Sequence, residues 1–333
     1  MEKLVLMDYL GTCNEENIPI GHTVKVLNEY SDMLSQDYEV WVATAKSTQD
    51  KVQNPNKIYA PFAICLGIRG KVGKLKNIYR RLKNISAIFR QSGKSPVWIC
   101  STDFYIFLYL YLCLRKKNKL AITLYRRNFD GEKLKKVKNY VFRHAIKKVD
   151  LIICFDKEIK NEKIPVFYMP DYLYEPKQYE GYQTEKKTDK VVCLGTMGVN
   201  KLLDELVDAF KQNGYSLEIV GNFLDKDIFN RLKEKAGANI KICNQYISDD
   251  EYLSLLASAK YSILPYNMQM YQARTSGVIL ESVFLNTIPI AHEELLGFMG
   301  IPGVSYRNIE ELASMDLQYL DKEYNYRELI AEE

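Results

Sequence analysis

Short apolar runs alternate with helical stretches from one end of this chain to the other, and that alternation restricts the fold more than any motif does. In the first half the strand-like runs are residues 4–7, 39–43, 63–66, 97–100, 121–124, 151–154 and 166–169. Between them, stretches such as 23–35 and 132–148 carry apolar residues at helical spacing. Near-continuous apolar strands separated by helices imply a parallel sheet covered on both faces. The segment 171–190, rich in Tyr, Glu, Lys and Thr, has little periodicity and reads as a linker. A second array follows, with strands at 191–194, 217–220, 240–242, 261–264, 287–291 and 304–306 and helices at 201–212, 226–236, 249–259 and 277–284. The expectation is α/β: two tandem Rossmann-like doubly wound domains with a cleft between them. The first domain is expected at 1–172, a linker at 173–189, the second domain at 190–315 and an acidic, Tyr-rich helical tail at 316–333.

Length and composition permit this. The 333 residues suffice for two ordinary cores, and 47% hydrophobic with 26% charged residues is a globular balance. Seven scattered cysteines without a C-x-x-C pair, and three distant histidines (His22, His144, His292), argue against zinc and for reduced thiols in a cytoplasm. Met1-Glu2-Lys3 leads into a strand without the pattern of a signal peptide. The apolar run at 104–114, FYIFLYLYLCL, falls well short of the ~20 residues that span a bilayer and is expected as a buried helix.

Charge is unevenly placed. Residues 51–150 carry 24 Lys/Arg against four Asp/Glu, while the chain as a whole is only +4. The tract 66–95, from Leu66 to Ser95, holds nine basic residues and no acid, with apolar residues from Leu75 onward recurring every three or four positions. Such a helix would have one oily and one cationic face, suited to an anionic membrane surface or a phosphorylated partner. No nucleic-acid module surrounds it, so nucleic acid is not expected as a partner.

Between runs 261–264 and 287–291 lies Thr275-Ser276-Gly277-Val278-Ile279-Leu280-Glu281. A small-residue loop that opens a helix offers backbone N–H groups and the positive end of the helix dipole to an anion. Glu281, four residues beyond Gly277, falls on the same face one turn in, where a carboxylate suits a pair of sugar hydroxyls. Diphosphate on the helix start and ribose on the glutamate is the pattern of a nucleotide-sugar site, although the same string also opens ordinary helices.

In order and spacing these segments resemble the GT-B glycosyltransferases, most of all the broad family 4 type. VVCLGTMGVNKLLDELVDAF resembles the strand, glycine turn, basic residue and helix that open the donor domain; LEIVGN resembles its second strand, with Gly221 at the end. ISDDEYLSLLASAKYSILPY and TSGVILESVFLNTIPIA resemble the segments around the donor pocket, and Gly21-His22-Thr23 the glycine loop that faces the acceptor. The family often has two glutamates with seven residues between them; here the earlier position is Ala273. Thr196 stands where an Arg is common, and Tyr125-Arg126-Arg127 where the family has a first-domain histidine.

The resemblance implies donor contacts from Gly195, Lys201, Tyr246, Arg274, Thr275, Ser276, Gly277 and Glu281, with Tyr246 in a loop that holds the base through its backbone. It implies that the loop with Gly21 and Thr23 faces the acceptor; Asp103 and Tyr125 are acceptor-side positions because ligands meet the carboxyl ends of parallel strands, and His22 and Arg126 are the catalytic candidates. Asp8, at the carboxyl end of the first strand, points toward the expected cleft. Lys201, at the start of the 201–212 helix, would neutralise charge on a departing diphosphate; a surface lysine is the plainer reading. Ser248 with Glu251 reads as a capping box, and Asp225-Lys226-Asp227 as a helix cap rather than a metal site.

The expected activity is metal-independent transfer of a sugar from a nucleotide diphosphate sugar, a UDP-sugar in the first instance, to a glycan or lipid-linked acceptor. No cofactor is expected, since the nucleotide sugar is a co-substrate. The setting would be surface polysaccharide or glycoconjugate synthesis, in the cytoplasm or peripherally at the inner membrane face. A UDP-sugar 2-epimerase of the same fold and a catalytically silent partner subunit are the alternatives.

Overall fold

The computed structural model describes residues 1–13, 23–65, 71–113, 117–125, 128–129, 133–169, 177–182, 187–271, 275–317, 324 and 326. The chain divides into two compact units, Met1–Leu173 and Tyr174–Glu333.

The first unit contains β1 (Glu2–Met7), β2 (Thr12–Cys13), α1 (Thr23–Leu34), β3 (Tyr38–Ala45), α2 (Lys46–Gln49), β4 (Lys57–Ala60), β5 (Ile64–Cys65) and α3 (Lys71–Ser92). It continues with β6 (Val97–Ile99), α4 (Phe104–Leu112), β7 (Leu120–Leu124), α5 (Lys135–Ala145), β8 (Leu151–Cys154) and β9 (Val166–Tyr168). Seven strands form one parallel sheet in the order β4-β3-β1-β6-β7-β8-β9. Because helices cover both faces, the central strand β1 buries successive residues Val5, Leu6 and Met7. Tyr30 of α1 stacks on Trp98 of β6 with centroids 4.7 Å apart, and Phe107, Phe129 and Phe142 form an edge-on cluster around α4 and α5.

One expected strand is misassigned. The run at 63–66 does not join the main sheet; its Ile64–Cys65 pairs with Thr12–Cys13 in a separate two-stranded ladder. The sheet position belongs to β4, an edge strand that alternates between solvent and core, so its sequence KIYA is less continuously apolar than the run chosen in its place. The run at 104–114 is the helix α4, as expected, with Ile106, Phe107 and Leu110 buried. Among the described residues, no helix is long and apolar enough to cross a membrane.

The second unit contains α6 (Lys177–Glu180), β10 (Thr188–Leu194), α7 (Leu203–Asn213), β11 (Leu217–Gly221), α8 (Lys226–Lys235) and β12 (Ile240–Asn244). Then come α9 (Asp249–Ser258), β13 (Ala259–Leu264), α10 (Gly277–Phe284), β14 (Ile288–His292), α11 (Glu293–Met299) and β15 (Val304–Tyr306). Its six parallel strands run β12-β11-β10-β13-β14-β15, so the order reverses between β10 and β13. Open α/β sheets bind ligands beyond the carboxyl ends of the strands at that reversal.

Part of the expected linker belongs to this unit. Tyr179 is buried and stacks on Phe284 of α10, and Lys187 Nζ donates to the carbonyls of Ala257 and Leu285 and to Thr287 Oγ1. Among the described residues of the segment, the anchors are the single side chains of Tyr179 and Lys187, which leave no period in the sequence. Of the expected tail, Leu317 and Tyr326 are buried in the unit's larger core, with Phe210, Tyr261 and Tyr306.

Candidate functional site

The reversal point in the second unit is built from the ends of β10 and β13. Beyond β10, Gly195 turns the chain at φ +98°, a left-handed value that disfavours any side chain. Gly221, at the end of β11, lies against that turn: a Cβ on Gly221 would come within 1.8 Å of the Gly195 carbonyl oxygen. The glycine after β10 therefore serves a tight turn, and the glycine after β11 allows the two backbones to pass.

Lys201 does not start a helix, because α7 begins at Leu203. Residues 200–202 instead cross the end of β13, with Leu202 N donating to Pro265 O and Lys201 bridged to Tyr266 in an antiparallel sense. The reason is local: Gly198 O accepts from Lys201 N, which closes a turn where a helix would otherwise have begun. The Lys201 side chain reaches back to the reversal point. Its Nζ donates to Leu194 O at 3.1 Å and lies 5.7 Å from the centre of the Tyr266 ring.

From Lys201 a continuous set of contacts leads to the opening of α10. Tyr266 stacks on Tyr271 with centroids 3.8 Å apart and planes 4° from parallel. Tyr271 Oη donates to Thr275 O at 2.7 Å, and Ser276 is the N-cap residue of α10. Ser276 Oγ makes no cap bond; it is buried and without a hydrogen-bond partner among the described residues. A buried hydroxyl left so costs free energy unless something accepts or donates there, and it sits where helix N–H groups converge.

Glu281 lies one turn further along α10 and is 4% exposed. Its Oε2 accepts from Tyr252 Oη at 2.7 Å, which ties α10 to α9. A carboxylate has about four acceptor positions, so this bond is compatible with sugar hydroxyls on the same group. Ser248 caps α9 by accepting from Glu251 N at 3.2 Å, while the Glu251 carboxylate accepts from Gln245 Nε2. The exposed Tyr246 lies in the loop just before that cap. Asp225 caps α8 through Asp227 N, as expected. Tyr252 and Tyr271 were not singled out from the sequence: their role depends on contacts between elements, and each reads locally as an ordinary aromatic.

In the first unit, Asp8 ends β1 fully buried, accepting from the backbone N–H groups of Leu10 and Gly11; burial pushes its carboxyl above the usual carboxylate range. Asp103 caps α4 through Tyr105 N and Ile106 N, accepts from Tyr9 Oη at 2.6 Å and pairs with Arg81 of α3. Tyr125 Oη donates to Cys100 O at 3.0 Å, and Thr23 opens α1. Asp103 and Tyr125 thus both stand at the carboxyl end of this sheet, each with a structural partner. Gly21, His22, Arg126 and Arg274 lie outside the described residues.

No protein-family model matches the sequence, and no curated protein matches it. Solved structures do. A trehalose-6-phosphate synthase superposes with a TM-score of 0.67 at 10% identity, over 94% of this chain and 90% of that one. An α,α-trehalose-phosphate synthase (UDP-forming) from Burkholderia vietnamiensis gives 0.62 at 12% identity, over 99% and 94%. An Anabaena protein in complex with UDP and glucose gives 0.65 at 12% identity, over 97% and 90%. The chain has the GT-B fold. Coverage of nine-tenths or more on both sides means that the two GT-B units are both present here, in the same order along the chain.

Proposed function

We propose that this chain is a nucleotide-sugar glycosyltransferase whose donor binds the second unit at the β10/β13 reversal. The observation that carries the reading is the opening of α10: a Ser276 hydroxyl that is buried and without a hydrogen-bond partner among the described residues, at the N-cap of the helix, with the Glu281 carboxylate one turn in. Diphosphate would take the helix start and Ser276, and the ribose hydroxyls would take Glu281. Lys201, now on the Leu194 carbonyl, is within the same group of contacts and would exchange that neutral acceptor for phosphate. UDP is the base-bearing half we favour, because similar structures hold UDP or are described as UDP-forming. The order of motifs in the sequence supports the family 4 type within the fold.

Rate enhancement would come from orientation and from stabilising charge on the departing diphosphate, without a metal. The acceptor would be a glycan or a lipid-linked sugar held by the first unit, and its basic surface supports an acceptor presented at an anionic membrane, as in surface polysaccharide or glycoconjugate synthesis.

The direct test is thermal unfolding with UDP, other nucleoside diphosphates and their sugars. Ligand at about 100 times its Kd should stabilise by about 2.7 kcal/mol. Failure of every nucleotide to raise the melting temperature would exclude the reading. Epimerisation of a UDP-sugar without an acceptor would transfer the site to the 2-epimerase reaction, and binding without turnover would mark a silent subunit.

Lys201→Ala should lower turnover by about tenfold, as expected for a charge-assisted bond worth roughly 1.5–3 kcal/mol. Nucleoside binding should be little changed. Equal loss of affinity for nucleoside and nucleotide sugar would separate the lysine from the phosphates. Chelation by EDTA should leave the rate unchanged.

A further inference from the structure

The helices α3, α4 and α5 pack side by side in that order on the first sheet. Arg81, halfway along the 22-residue α3, meets the Tyr105 ring in the first turn of α4, and Lys138 of α5 meets Phe104 there, so the first half of α3 and the first turn of α5 both extend beyond the start of α4. The second half of α3 is ordinary, with Ile85, Ile88 and Phe89 buried. Its first half is not. Val72, Leu75 and Tyr79 fall on one stripe and are 80%, 65% and 55% exposed, among exposed Lys71, Lys74 and Lys76.

The first turns of α5 repeat the arrangement. Leu134, Val137 and Tyr140 are 75%, 58% and 48% exposed, among exposed Lys133, Lys135 and Lys136. Neither helix contains an acidic residue. Leu134 is also the N-cap, held at φ +61° with no side-chain cap bond. Ser, Asp, Asn or Gly would suit that position better, so an exposed leucine on left-handed backbone is a local conflict that folding of the unit does not resolve. Between the two stripes, Arg81 lies over the Tyr105 ring but is paired with Asp103, while Lys138 lies over the Phe104 ring and adds cationic character beside the start of α4.

We propose that α3 and α5 together form a docking platform for an anionic lipid bilayer. Val72, Leu75, Leu134 and Val137 enter the boundary between headgroups and acyl chains, the tyrosines lie at headgroup level, and the lysines meet lipid phosphates. Charge complementarity selects the anionic surface, and the exposed aliphatic stripes select a bilayer over a polyanion, which gives aliphatic side chains nothing to enter. The platform deepens the proposed membrane setting of the acceptor: it adds α5 and its leucine to the basic tract, and it rests on the first unit alone.

The test is co-sedimentation of the full chain with vesicles of phosphatidylcholine, alone or mixed with phosphatidylglycerol. Binding is expected only to the mixed vesicles and should weaken as salt rises. Leu134→Asn and Val137→Ser keep the charge, and each should reduce binding by about tenfold at fixed salt. The melting temperature should hold or, for Leu134→Asn, rise. Lys135→Gln with Lys136→Gln should instead flatten the salt dependence. The proposal is overturned if wild type ignores the mixed vesicles at low salt, or if Leu134→Asn and Val137→Ser bind as wild type. It is equally overturned if a soluble polyanion competes equally for wild type and both leucine-face variants, or if these substitutions chiefly dissolve a dimer. Nucleotide-induced stabilisation measured on the same variants should be unchanged, so failure of the platform and failure of the donor site are read separately.

Discussion

Replacing Gly221 with alanine is expected to destabilise the second unit more than any other single methyl added to the site. The new Cβ would lie 1.8 Å from the Gly195 carbonyl oxygen and 2.8 Å from its carbon. These are backbone atoms, held by Gly195 N donating to Val220 O, so no side chain can rotate away. Overpacking usually costs ~1–3 kcal/mol and occasionally more; a backbone-to-backbone overlap belongs at the upper end, ~3 kcal/mol or above. For a unit of this size that corresponds to roughly 10 °C in melting temperature. Gly195→Ala is the control. It meets no atom within 4 Å, yet forces a side chain to φ +98°, so only the ~1–2 kcal/mol backbone penalty applies. Thermal unfolding should therefore rank wild type above Gly195→Ala and that above Gly221→Ala. The reverse order would mean that the ends of β10 and β11 separate easily, and the turn could not then be a rigid wall of a ligand site.

The architecture was legible in the sequence because buried parallel strands leave continuous apolar runs, and helix crossovers leave a different period between them. The failure at 63–66 follows from the same physics, since an edge strand such as Lys57–Ala60 has one wet face and loses the signal. At the site, the string from Thr275 to Glu281 was visible because a helix opening is local. What it touches was not. Tyr252 and Tyr271 come from an α-helix and a turn, and nothing in their own neighbourhoods sets them apart from other tyrosines; Tyr266 was legible as a flank of the loop from its place after the run 261–264, but its stacking on Tyr271 was not. Lys201 shows the converse: its residue type and place before a helix were legible, but its two-residue offset from α7 depends on a turn bond to Gly198 and on pairing with Tyr266.

Glu281 carries the second large expected effect. A buried carboxylate on α10 that already accepts from Tyr252 Oη could be a sugar ligand or merely a tie between two helices. The two roles predict different variants. Glu281→Ala removes both and should lower donor affinity by at least tenfold, since a hydrogen bond to a charged group contributes about 1.5–3 kcal/mol. It should also cost stability, because Tyr252 loses its acceptor. Glu281→Gln retains an acceptor for Tyr252 and nearly the same volume, so the melting temperature should stay close to wild type while calorimetry with the nucleotide sugar shows most of the affinity loss. Tyr252→Phe keeps the carboxylate but releases its orientation. Donor affinity should fall by only a few fold, a fraction of the bond energy. In a double-mutant cycle, Tyr252→Phe should add little once Glu281 is Gln, because the tyrosine acts on the ligand only through the glutamate. If Glu281→Gln instead binds the nucleotide sugar as wild type does, and both substitutions lower the melting temperature alike, the carboxylate is a helix tie. The ribose would then have to be held elsewhere on the second unit.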